Sequence, residues 1–93
     1  MDWWKLQEYE RSVAASEEEE AVAKCALKRA NTPEEEELAA SALRKARANS
    51  DELENKILNA YDDTPSHLCD SVTSLLIRMR ENKARRGSAI EPF

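Results

Sequence analysis

The stretch PEEEELAASALRKARANSDELENKILNAYD, Pro33 to Asp62, decides the fold. Steps of four, three, four, three, four and three from Ala39 meet Leu43, Ala46, Ser50, Leu53, Ile57 and Ala60. That heptad spacing sets small or apolar residues along one face of one long helix, with Ser50 its only polar member. A helix of this length spans about 45 Å and needs neighbours to bury its stripe.

Its start is well marked. Thr32 is placed to cap, Pro33 takes the first helical position where a missing N–H costs nothing, and Glu35 completes a capping box. Glu34 to Glu37 lie at the positive end of the helix dipole. Asn49-Ser50-Asp51-Glu52 resembles a second start, but the seam crosses it in register, so the helix is read as continuous.

Upstream, Asp2 caps a first helix in which Trp3, Leu6, Tyr9 and Val13 share a face. Beyond Val13 the apolar set shifts to Val22, Cys25 and Ala26, with Arg29 at the same spacing, flanked by Ala21, Ala23 and Ala30. Ser16 and Glu19 between the two sets have capping-box spacing. The first thirty residues therefore read as two helices, about 2–15 and 17–30, or as one. One long helix with a local irregularity is the favoured reading, with Glu17 to Glu20 facing solvent and Lys24 placed to pair with Glu20. A link of two or three residues at Asn31 forces an antiparallel hairpin.

Downstream, Asp62-Asp63-Thr64-Pro65 is expected to end the second helix and to open a third as Thr32-Pro33 opens the second. Leu68, Val72, Leu75 and Met79 form its seam, widened by Leu76 and Ile77. Gly87 is its expected C-cap, and 88–93 a tail. The recurrence of Thr-Pro is shared punctuation rather than an internal repeat. The expected fold is all-α: an antiparallel up-down-up three-helix bundle in one domain, 1–87, made of a long hairpin and a shorter third helix. Large inward residues (Trp3, Leu6, Tyr9, Leu53, Ile57, Leu75) gather at one end. At the other, Ala dominates with Val22, Leu27, Leu38 and Leu43, and the third helix stops short. The hairpin tip should be a two-helix arm with little core.

With 93 residues, the chain buries only about two-thirds of its unfolded surface, which leaves a narrow stability margin without a partner. Its net charge of −5 is unevenly spread: residues 1–75 hold 9 basic and 17 acidic side chains, residues 76–93 hold 5 and 2. The acidic bulk argues against general binding to phosphate backbones. No charged-then-apolar leader and no long apolar run occur, which predicts a soluble cytoplasmic protein without membrane contact. Cys25 and Cys69 have neither metal nor redox spacing and read as small buried side chains at opposite ends of the bundle, too far apart to bridge.

No catalytic constellation can be assembled, so no enzyme and no cofactor are expected. Asp63, His67 and Asp70 could converge on a metal, but a lone His at a helix start is ordinarily a capping or surface residue, and no metal site is assigned. The Glu runs could mimic a phosphate backbone, although 14 basic residues weaken that idea. Arg78, Arg80, Lys83, Arg85 and Arg86 form a basic cluster, a candidate phosphate contact. Pairing with Glu17 to Glu20, at a similar height, is the favoured account of it. Trp3 and Trp4 stand out: either one enters the core and the other stays outside, where Trp is enriched at interface hot spots, or both lie over the bundle end and cover Tyr61.

These features point to a non-enzymatic helical interaction protein: a homo-oligomer, or an adaptor, subunit or inhibitor of a larger complex. Helical bundles of this size include phage-encoded inhibitors, and fold alone does not choose among such roles. The partner surface is assigned to Trp3, Trp4, Ala26, Ala30, Ala39 and Ala42. The alternative is a nucleic-acid- or nucleotide-binding protein that uses the basic end of the third helix.

Overall fold

A computed structural model describes residues 1–86 and contains three helices: α1 (Trp3–Arg29), α2 (Pro33–Tyr61) and α3 (Ser66–Arg86). The expected Gly87 cap and the 88–93 tail lie outside the described residues. Helix α1 packs along α2 as an antiparallel hairpin, and the shorter α3 lies against its lower part. The molecule is elongated, 50 × 24 × 16 Å.

The helix starts follow the local chemistry. Asp2 accepts a hydrogen bond from the Lys5 amide at 2.8 Å. Thr32 Oγ1 accepts from the Glu35 amide at 3.2 Å, and the Glu35 carboxylate accepts from the Asn31 amide at 3.0 Å. Thr64 behaves differently from Thr32. Its hydroxyl donates back to the Ala60 carbonyl at 2.9 Å, so it closes α2 instead of capping α3, which begins after Pro65.

Helix α1 is unbroken, and so is α2 across Ser50. The α2 seam holds: Ala39, Leu43, Ala46 and Ile57 are buried, with Ser50, Leu53 and Ala60 half-buried. The main core joins Leu6, Val13, Ile57, Leu68, Val72, Leu75, Leu76 and Met79, with Met1, Tyr9, Leu53 and Tyr61 packed against it.

Several expected core residues lie elsewhere. The seam of α1 keeps its phase beyond Val13 and runs through Ser16, Glu20 and Ala23, all buried. Polar side chains occupy two of those positions, so tracing apolar residues alone led off the true stripe to Val22, Cys25 and Ala26, which are exposed. Glu20 is accordingly not on the solvent side: it is 8% exposed. Neither indole enters the core. Trp3 is 51% exposed and Trp4 72%, and the rings stack edge-on at 4.8 Å. Met1 takes part of the place expected for Trp3, held as its amino group donates to the Asp63 carbonyl at 2.8 Å. Ile77 is exposed as well, and Cys25 is an exposed thiol while Cys69 is half-buried; both are free.

Candidate functional site: the face opposite the third helix

The two broad faces of the α1–α2 hairpin differ in chemistry. On the face that receives α3, charges are paired across helices. Arg78 Nε donates to Glu17 at 3.2 Å, and Asn82 donates to the same carboxylate at 2.7 Å. Glu20 meets Arg47 at 3.0 Å and Arg86 at 3.5 Å, while Arg86 also reaches Asp51 at 2.9 Å. Arg80 lies 3.7 Å from Glu54, and Lys83 3.7 Å from Asp51. The basic cluster is thus largely engaged with acidic side chains of α1 and α2. Arg85 is exposed.

Each helical residue turns about 100°, so a residue two positions from an α3-facing one points almost the opposite way. Val22 is thereby turned away from Glu20's direction, and Asn49 from Asp51's. This opposite face carries a groove of about 820 Å³. Ala23, Ala39 and Ala46 form its floor, Val22 and Leu38 stand on its walls, and Ala26 and Ala42 line it between. Val22 is 62% exposed and Leu38 73%, although both were expected inside the arm. A small-residue floor lets α1 and α2 approach closely, which lifts the larger side chains onto the rim.

The groove therefore exists for a different reason from the shortness of α3. It lies on the far side of the hairpin, where even a longer α3 would not cover it. Of the residues assigned to the partner surface, Ala26 and Ala42 are exposed there, Ala39 is buried in the floor, and Ala30 is half-buried outside the lining. Trp4 joins the same face. With Glu8 and Arg11 it lines a second hollow, and steps of four and three carry that row on through Ala15 and Glu18 to Val22. Trp3, a residue earlier, points aside. Beside them, the Lys5 ammonium is held above its ordinary pKa by a hydrogen bond and charge attraction from Glu8.

The hairpin register follows from its two ends. The turn occupies 30–32, and Met1 bonds to Asp63. Glu19 then stands level with Lys45, Val22 with Ala42, Ala26 with Leu38 and Arg29 with Glu35, to within about one residue's rise of 1.5 Å. No ion pair among the described residues joins Glu19 to Lys45 or Arg29 to Glu35.

Among the described residues no group of three His, Cys, Asp or Glu converges as metal ligands, and His67 is exposed on α3. No helix among them is long and apolar enough to cross a membrane. Comparison with known protein families, with characterised sequences and with solved structures finds no match. What fold and surface define is a class: an all-α three-helix bundle with one hairpin face that no other described helix covers.

Proposed function

We propose that this chain is a helical interaction protein that acts by contact and not by catalysis, through the hairpin face opposite α3. One observation carries the reading. Val22 and Leu38 are exposed side by side with Ala26 and Ala42 over a floor of buried Ala, while the other hairpin face is covered over its lower part by α3 and cross-linked there by ion pairs. Exposed apolar patches rimmed by charge are typical of protein contact sites. Roles as a subunit, an adaptor or an inhibitor all fit such a surface. Two free thiols, one of them exposed, favour a reducing setting such as the cytoplasm.

The test is affinity capture with a tagged chain against a Val22→Glu, Leu38→Glu variant. Both positions are exposed, so the variant should keep its helicity by circular dichroism and lose its protein partner, a second copy included. Retained capture of every partner by a folded variant rejects the face as the contact surface.

A further inference from the structure

Resting on that reading, we infer that the occupant of the face is a second copy of this chain, paired about a twofold axis parallel to the helices. Such an axis keeps every residue at its own height and lays α1 of one copy over α2 of the other. The facing sets then match in size and in charge. Val22 meets Ala42 of the other copy and Leu38 meets Ala26, a large side chain over a small one each time. Glu19 meets Lys45, and Arg29 meets Glu35, each an acid against a base at one level.

The match continues below the groove. Trp4 falls over Ala60, Glu8 over Lys56 and Arg11 over Glu52, within about one residue's rise of 1.5 Å. A twofold axis across the helices would also match the groove residues, but it overlaps only the arms, about 15 Å of helix. The parallel axis covers all 27 residues of α1. That face is about 40 Å long and about 20 Å wide, or about 800 Å² per copy, the amount one partner contributes to a stable interface. Every helix in the resulting four-helix layer has antiparallel neighbours, with one α3 on each outer side.

Light scattering on the full chain should give about twice the monomer mass of 10.6 kDa. Two charge-reversed variants make the test specific. One carries Glu19→Lys and Arg29→Glu on α1; the other carries Glu35→Lys and Lys45→Glu on α2. Each alone sets like charges opposite at the two altered levels, 19 against 45 and 29 against 35, and should be a folded monomer. An equimolar mixture should return to dimer mass, because each altered charge then meets its opposite on the other copy. Within each variant the charges across its own groove remain mismatched, so recovery reports contact between copies only. Spin labels on Cys69 in a Cys25→Ser chain should lie about 30 Å apart across the layers. The crossed arrangement would separate them by about 60 Å, and that distance would overturn the pairing. A monomeric wild-type chain at all concentrations, or a mixture that fails to recover, overturns it too. If such a monomer still captures another protein and loses it in the Val22→Glu, Leu38→Glu variant, self-pairing falls while the contact face stands. If nothing is captured through the face, both fall.

Discussion

The Glu20 carboxylate, inside the α1 seam, accepts a hydrogen bond from Arg47 Nε at 3.0 Å and so ties α1 to α2 at a level where an apolar pair would be expected. Arg86 approaches the same carboxylate from α3. A buried acid held by two guanidinium groups loses much when it is neutralised, because both cations keep their desolvation cost. Glu20→Gln should lower stability by about 1.5–3 kcal/mol in urea unfolding. A change below about 0.5 kcal/mol would show that the site behaves as open surface.

Arg85 and Arg86 are neighbours in sequence with different work. Arg86→Ala removes the bridge between Glu20 and Asp51 and should depress the melting temperature; Arg85→Ala, at an exposed position, should leave it within about 0.5 kcal/mol of wild type. Nucleic-acid binding that weakens with salt and disappears in an Arg85→Ala chain would favour the alternative function, since Lys83 and Arg86 are compromised as probes by their contacts with Asp51.

Two serines on the inner seams predict gains. The Ser16 hydroxyl is buried without a hydrogen-bond partner among the described residues, so Ser16→Ala should raise stability by about 1 kcal/mol. Ser50 sits mid-helix, and Ser50→Ala should hold or raise stability. Thr32→Ala removes a true cap and should cost about 0.5–2 kcal/mol. Thermal melts of the three variants provide the comparison, and a loss at Ser50 as large as that at Thr32 would contradict a continuous α2.

Ala39 and Ala42 are three residues apart but differ in burial. Ala39→Trp overfills the α1–α2 contact and should cost about 1–3 kcal/mol. Ala42→Trp projects into the groove and should block assembly while keeping its helicity, melting like wild type diluted to monomer. Circular dichroism and light scattering on the same samples separate the two effects. An unchanged mass for Ala42→Trp would place the contact elsewhere, with Trp4 the next residue to alter.

The helix count, the hairpin and the caps at Asp2 and Thr32 were legible because each rests on local chemistry or on a long apolar period. The α1 seam was not legible past Val13. Ser16 and Glu20 lie on it, and a polar residue at a buried position shows itself only once its partners on α2 and α3 are known. The same gap misplaced Val22 and the solvent side of the Glu run. Of the two roles expected at Asp62 to Pro65, closing α2 holds at Thr64 and capping α3 does not, because the Thr64 hydroxyl turns back to the Ala60 carbonyl. Trp4, Ala26 and Ala42 were singled out for separate reasons, Trp4 for its exposed indole and the alanines for their size. That they share a face required the register of the hairpin.

The length of the hairpin has a hydrodynamic result. The chain's radius of gyration is 15.3 Å, while a compact domain of its size has about 12 Å. A rod three times as long as it is thick, 50 Å against 16 Å, drags more water and elutes early from a sizing column. Its elution volume will imitate that of a heavier globular protein. Pairing along the flat face thickens the rod without lengthening it, so the dimer is the rounder particle. Doubling the mass will therefore move the elution peak less than a calibration with spheres implies. Diffusion and mass measured together distinguish the two species where retention time alone would merge them.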